Sequence, residues 1–95
     1  MTGKTGKEKP FVIVLYGRKN CSLCDDVELA IRALAEIYPL TLEIVDIEQD
    51  PLLHERFMWE IPVVQIDGEV VFRSVSHVVT IAELDRELAR RSAKG

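Results

Sequence analysis

Residues 11–24 read FVIVLYGRKNCSLC, an apolar segment followed closely by two cysteines. The apolar part, residues 11–16, is short and rich in β-branched and aromatic side chains, which is typical of a central β-strand covered on both faces. Gly17 ends this strand. Beyond the cysteines, apolar residues recur at helical spacing, at Leu23, Val27, Ala30, Ile31, Leu34 and Ile37. Pro39 then forbids continuation of the helix. The cysteines therefore lie where a predicted strand is followed by a predicted helix.

The next segments predict a second strand and a short second helix. Residues 40–47 begin with alternating apolar and polar side chains, so residues 11–47 form a βαβ unit with parallel strands and a right-handed crossover. Asp50 is a suitable N-cap, and Pro51 suits the first position of a helix. The apolar side of this helix is predicted to consist of Leu52, Leu53 and Phe57.

The C-terminal part of the chain predicts a hairpin and a final helix. Residues 61–66 and 69–73 are extended runs separated by Asp67-Gly68, a favoured two-residue hairpin turn. Residues 80–83, Thr-Ile-Ala-Glu, form a capping box at the start of the last helix. Its apolar side is predicted to consist of Ile81, Leu84 and Leu88. The complete order, βαβαββα, predicts an α/β fold in which helices flank a four-stranded mixed sheet.

Length and composition limit the domain organisation and the class of partner. The chain has 95 residues, which fits one domain, and we expect a flexible leader over residues 1–10, a domain over 11–91 and a flexible C-terminus over 92–95. The formal net charge of -4 disfavours nucleic acid as a partner. No apolar signal-peptide core follows the N-terminus, and the longest apolar run is far below the roughly 20 residues of a membrane span. We expect a cytoplasmic monomer.

The motif Cys21-Ser22-Leu23-Cys24 predicts redox chemistry. Two cysteines so close together cannot tie distant segments of a small secreted domain to one another. At a helix N-terminus Cys21 gains stabilisation of its thiolate, and free cysteine ionises near pH ~8.5. Arg18 and Lys19 add positive charge beside it and are predicted to contact substrate. Cys24, on the same helical face, is expected to be more shielded. We therefore predict Cys21 as the nucleophile and Cys24 as the resolving thiol of a thiol:disulfide oxidoreductase.

Two other roles for the cysteines stay open on the sequence alone. The same spacing supplies half of a zinc site, for which only His54 and His77 could complete the ligand set, each in a different element. The cysteines could also be small apolar residues that fill a helix start. In either case the protein would be a binding module without catalysis. We predict no metal site.

The arrangement resembles the glutaredoxin branch of the thioredoxin-like superfamily, over residues 11–90. Two separate signals carry the resemblance: a strand, Cys21-Ser22-Leu23-Cys24 and a helix, and then Ile61-Pro62-Val63-Val64 opening the hairpin. The resemblance implies that Pro62 is cis and faces the dithiol, and that the backbone of Ile61 receives the substrate chain. An X-Pro bond has only a small trans preference, so the cis form is accessible. The alternative is an ordinary trans proline opening an edge strand.

Two departures from the family pattern bear on the electron donor. Glutathione-dependent glutaredoxins resemble one another in a Gly-Gly pair after the fourth strand, and residues 73–79 here contain no glycine. Glutathione binding is therefore doubtful, although Ser74 or Ser76 could supply some of the lost hydrogen bonds. The second departure is that neither the Cys-Pro-Tyr-Cys motif of dithiol glutaredoxins nor the Trp-Cys-Gly-Pro-Cys motif of thioredoxins is present. Cys-Ser-Leu-Cys followed by Asp25 resembles the motif of short bacterial glutaredoxin-like proteins instead. We expect no tightly bound cofactor, disulfides of proteins or small thiols as substrates, and glutathione or a reductase as electron donor.

One apolar cluster precedes Pro62. Phe57, Met58 and Trp59 could form a rim against which a partner chain rests, or they could belong to the core. The sequence does not separate the two roles. His77 could relay a proton, but a lone histidine in a polar loop is usually solvated, so it is left outside the predicted site.

Overall fold

The computed structural model describes residues 9–75 and 78–93. These ranges contain β1 (Phe11–Gly17), α1 (Ser22–Leu34), β2 (Leu40–Asp46), a 3-10 helix (Ile47–Gln49), α2 (Pro51–Phe57), β3 (Val63–Ile66), β4 (Glu69–Arg73) and α3 (Ile81–Ala93). The predicted order βαβαββα is confirmed, with the 3-10 helix as an addition. The predicted leader and C-terminus lie largely outside the described residues and stay predictions. No helix in the described ranges is long and apolar enough to cross a membrane.

The four strands form one mixed sheet in the order β2-β1-β3-β4. β1 is parallel to β2 and antiparallel to β3, and β3 is antiparallel to β4. The central position of β1 explains its continuous apolar sequence, because both of its faces are covered. Two register pairs matter for the site: Gly17 lies opposite Asp46 on β2, and Tyr16 lies opposite Val63 on β3.

Helices cover both faces of the sheet. The larger core cluster lies between the sheet and the helices α1 and α3, and its buried residues are Ile13, Leu15, Val27, Ile31, Leu34, Val64, Ile66, Val79, Leu84 and Leu88. The smaller cluster lies on the opposite face, where Phe57 of α2 packs with Ile47 and Val63. Since side chains alternate along a strand, the odd-numbered residues of β1 point toward α1. Gly17 is on this face.

Local hydrogen bonds and backbone angles place three features as the sequence predicts: the start of α2, the start of α3 and the hairpin turn. The Asp50 carboxylate caps α2, accepting from the N–H of Leu52 at 2.9 Å. The capping box of α3 is formed in both directions, between the backbone N–H of Glu83 and Thr80 Oγ1 and between the N–H of Thr80 and Glu83 Oε1. Asp67 and Gly68 have φ values of 50° and 86°, as the mirror-image hairpin turn requires.

Other sequence expectations are wrong in detail. α1 ends at Leu34, five residues before Pro39, because a tight turn follows in which the N–H of Ile37 donates to the carbonyl of Leu34. Ile37 is therefore exposed, although it fits the helical stripe. Leu52 is 76% exposed, since it lies in the first turn of a short helix whose buried side is Phe57. β3 begins at Val63, two residues later than predicted.

Polar contacts attach α3 to the rest of the domain. Arg91 binds Glu87 within α3 and also Glu69 of β4, and its side chain is mostly buried. Hydrogen bonds from Arg90 and Arg91 outweigh the effect of burial and hold the pKa of Glu87 below its usual value. Before β2, the hydroxyl of Tyr38 donates to Asp85 Oδ1 at 2.6 Å. That hydrogen bond raises the pKa of Tyr38.

Candidate active site

The two cysteines form a disulfide at the start of α1. Cys21 is the N-cap of this helix, with extended backbone, and its Sγ accepts a hydrogen bond from the N–H of Cys24 at 3.1 Å. The sulfur thus occupies the place that a serine or aspartate oxygen takes in most N-caps. Once the bond is reduced, the same N–H and the positive end of the helix favour the thiolate form of Cys21.

The two sulfur-bearing residues differ in exposure. Cys21 is half-buried, whereas Cys24 is 5% exposed. Cys24 packs closely on β1: a Cβ atom placed on Gly17 would lie 3.0 Å from Cys24 Sγ and 3.1 Å from its Cβ. Any residue larger than glycine at position 17 would therefore force Cys24 to shift. The sequence indicated Gly17 as a strand end and gave no signal of this approach.

A cavity of about 300 Å³ opens beside Cys24. Its apolar wall comes from the ends of the two parallel strands, and its rim is charged. The lining residues are Leu15, Gly17, Arg18, Lys19, Cys24, Asp25, Glu28, Ile44 and Asp46. Arg18 and Lys19 are thus brought to the dithiol, but they share the cavity with three carboxylates and do not form a purely basic patch. Asp46 and Glu28 were not predicted for the site; Asp46 arrives there because it is in register with Gly17.

Pro62 lies at the same end of the sheet as the dithiol. Continuing the β1–β3 register by one residue from Tyr16 and Val63 places Pro62 opposite Gly17, the residue in contact with Cys24. The Ile61–Pro62 peptide bond is cis, the conformation that the family resemblance implies. Pro62 is fully buried. The structure therefore brings the two sequence motifs together.

The backbone of Ile61 is only partly free to receive a substrate chain. Its N–H donates to the carbonyl of Phe57 at 3.1 Å, closing the turn after α2. In the described part of the chain, no hydrogen bond reaches the Ile61 carbonyl. An incoming chain would find one acceptor at this residue rather than a donor and an acceptor.

Ser74, the residue after β4, supports the Pro62 loop. Its N–H donates to the carbonyls of Glu60, at 3.0 Å, and of Pro62, at 3.2 Å. Its hydroxyl oxygen is buried and has no hydrogen-bond partner among the described residues. The N–H of Ser74 is therefore occupied in holding the loop, and its buried hydroxyl is not presented to a ligand such as glutathione. The other residue considered for that role, Ser76, lies outside the described residues.

The zinc alternative gains no support from the part of the chain that the structure describes. There, no three side chains of histidine, cysteine, aspartate or glutamate are grouped as a metal site requires. His54 lies on α2, and the two cysteines are bonded to each other. His77 is outside the described residues.

The cluster before Pro62 divides between core and surface. Phe57 is buried and its ring centroid lies 4.8 Å from that of Tyr16. Met58 is half-buried. Trp59 is 81% exposed. Phe57 thus belongs to the core, whereas Trp59 lies on the surface.

Comparison with known proteins places the chain in a family. Its structure resembles a protein from Nitrosomonas europaea, Ne2328 (TM-score 0.69, 20% identity, covering 84% of this chain and 93% of that one). It also resembles a mutant thioredoxin from Halobacterium salinarum (TM-score 0.65, 18% identity, covering 92% of this chain and 79% of that one). A third similar structure is Fasciola hepatica thioredoxin (TM-score 0.62, 19% identity, covering 90% of this chain and 85% of that one). These likenesses confirm the thioredoxin-like fold. A search of curated proteins gave no match. The family model described as a glutaredoxin-like domain matches residues 12–89. The chain therefore belongs to the glutaredoxin-like domain family.

Proposed function

We propose that the protein is a thiol:disulfide oxidoreductase in which Cys21 attacks the substrate and Cys24 resolves the intermediate. The inequality of the two cysteines is the observation that supports this proposal. Cys21 is half-buried and its sulfur accepts an N–H bond at a helix N-terminus, while Cys24 is buried against Gly17. A thiolate that is stabilised and accessible suits attack, and a shielded neighbour suits resolution.

The cycle conserves two electrons. The Cys21 thiolate attacks one sulfur of a substrate disulfide, which forms a mixed disulfide and releases the other sulfur as a thiolate that takes a proton from water. Cys24, after losing its proton to water, attacks Cys21 Sγ. This step breaks the mixed disulfide, releases the second substrate thiolate and leaves the Cys21–Cys24 disulfide seen in the structure. An external dithiol reductase, or two molecules of glutathione, returns both electrons.

The expectations about partners and compartment are part of this proposal. The enzyme works as a monomer without a bound cofactor. It works in the cytoplasm, since a dithiol that reduces substrates needs surroundings that keep it reduced. Its substrates are disulfides of proteins or of small thiols. The occupied N–H and buried hydroxyl of Ser74 favour a reductase over bound glutathione as the electron donor.

Alkylation of the reduced protein at different pH values tests the proposal. Cys21 should react with iodoacetamide well below pH ~8.5, the value for free cysteine, while Cys24 stays protected in the native state. Peptide mapping assigns the label, and Cys21→Ser serves as the control that leaves only Cys24. Equal and slow labelling of both thiols at neutral pH would contradict the assignment of roles.

The Cys24→Ser variant distinguishes the electron donors. If glutathione is the donor, this variant keeps activity toward glutathionylated substrates, because a second glutathione can replace the resolving thiol. Loss of all such activity, with normal labelling of Cys21, indicates a strictly dithiol cycle served by a reductase.

A further inference from the structure

We propose that Trp59 is the docking surface for a polypeptide substrate, where the indole contacts an apolar side chain two or three residues from the substrate's reactive cysteine. This inference rests on the proposed function, and it selects protein disulfides over small-thiol disulfides as the substrate class. It assigns a role to the part of the apolar cluster before Pro62 that the core does not use.

The exposure of Trp59 is exceptional within this molecule. At 81% it is the most exposed large apolar side chain in the described residues. Its neighbours in the chain behave differently, because Phe57 is buried and both Met58 and Ile61 are at least half-buried. Tryptophan is also the residue type most often found as an energetic anchor in protein interfaces.

The turn that carries Trp59 is held on both sides. The N–H groups of Glu60 and Ile61, which follow Trp59, both donate to the carbonyl of Phe57, which precedes it. Arg73, the last residue of β4, binds the Glu60 carboxylate at 3.0 Å, and the N–H of the following Ser74 donates to the Glu60 carbonyl. An anchor on a fixed frame loses little conformational freedom when a partner binds.

The chemistry of the mixed disulfide identifies the occupant. While a substrate is joined to Cys21, the residues on either side of its cysteine must lie on the surfaces that flank the dithiol. On one side lies the charged rim of the cavity, with Arg18, Lys19 and carboxylates. On the other side of β1, toward β3, the chain passes through Ile61, whose carbonyl accepts no hydrogen bond from the described residues, and Trp59 is two residues before it.

Chain length then separates the two substrate classes. An extended chain advances about 3.3 Å per residue, so a polypeptide that donates one of its N–H groups to the Ile61 carbonyl can place a nearby side chain against the indole. A small disulfide has no such side chain. Val75, which follows Ser74, is also exposed.

Single-turnover kinetics test this inference without any electron donor. The pre-reduced protein is mixed with insulin, a protein disulfide, or with bis(2-hydroxyethyl) disulfide. Trp59→Ala should lower the second-order rate constant for insulin by about tenfold, as expected for loss of an interface tryptophan, and leave that for the small disulfide unchanged. The matched control is Leu52→Ala, which removes another exposed apolar side chain, on α2. It should change neither rate.

The outcomes separate this inference from the proposed function. Equal rates for Trp59→Ala and Leu52→Ala with insulin, or an equal loss with both substrates, would overturn the docking role while leaving the dithiol chemistry intact. Failure of the unmodified protein to react with either disulfide would overturn the proposed function and this inference together.

Fluorescence gives a second measurement that does not depend on rates, because Trp59 is the only tryptophan. The Cys24→Ser variant is joined through Cys21 to a cysteine peptide with leucine two residues away, or to the same peptide with glycine there. A blue shift of the emission with the leucine peptide alone supports docking. No shift with either peptide would refute it, and a shift that follows protein concentration without peptide would identify a second copy as the occupant instead.

Discussion

Gly17→Ala is the sharpest test of how the dithiol is packed. The added Cβ atom would lie 3.0 Å from Cys24 Sγ and 3.1 Å from Cys24 Cβ, at a buried position. Gly17 does not have a positive φ, so alanine meets no backbone strain there. The whole penalty therefore arises from the contact with Cys24.

The expected loss of stability follows from two opposing contributions. Adding a carbon to a well-packed interior costs about 1–3 kcal/mol. Replacing glycine by alanine also reduces the freedom of the unfolded chain, which stabilises the folded state by roughly 0.4–1 kcal/mol. We expect a net decrease of about 1–2 kcal/mol in the free energy of unfolding of the oxidised protein, measured by urea denaturation.

Gly68→Ala is the matched control for this variant. At Gly68 φ is +86° and no atom lies within 4 Å of the added carbon. We expect the free energy of unfolding to fall by about 1–2 kcal/mol, from the left-handed backbone alone. Only Gly17→Ala should change the rate at which the reduced dithiol closes. An unchanged closure rate together with wild-type stability in Gly17→Ala would refute the close approach of β1 to Cys24.

Three further predictions concern the scaffold. Asp50→Ala removes the acceptor of the Leu52 N–H and should lower the stability by about 1 kcal/mol in thermal unfolding. The lowered pKa of Glu87 contributes stability that is present above the ordinary value of 4.5 and is lost as the pH falls through the folded-state pKa, so Glu87→Gln should flatten the acid side of the stability profile. The pKa of Tyr38 is raised above 10, so the folded state loses stability as the pH rises through that pKa. Asp85→Asn should move the ionisation of Tyr38 back toward 10 in a spectrophotometric titration.

The parts of the fold that the sequence predicts are those that depend on neighbours in the chain. The Asp50 cap, the Thr80–Glu83 box and the Asp67-Gly68 turn each involve groups within three residues of one another, so the residue types suffice. The same holds for the placement of Cys21 at a helix start.

The rest of the site depends on contacts between distant segments. Asp46 joins the cavity beside Cys24 only because of the register between two parallel strands, which the sequence pattern does not specify. The hydrogen bond that occupies the Ile61 N–H depends on how the chain turns after α2. The exposure of Trp59 likewise follows from that turn, since composition alone made it equally compatible with the core.

The Cys21 cap has a consequence for the design of inactive variants. Cys21→Ala removes the acceptor of the Cys24 N–H as well as the attacking sulfur, so the start of α1 loses its cap in the same step. Cys21→Ser abolishes thiol chemistry at that position but keeps an oxygen of a residue type that caps helices well. A phenotype of the alanine variant would combine lost catalysis with a frayed helix. The serine variant separates the two, and a difference in stability between these two inactive proteins measures the strength of the cap.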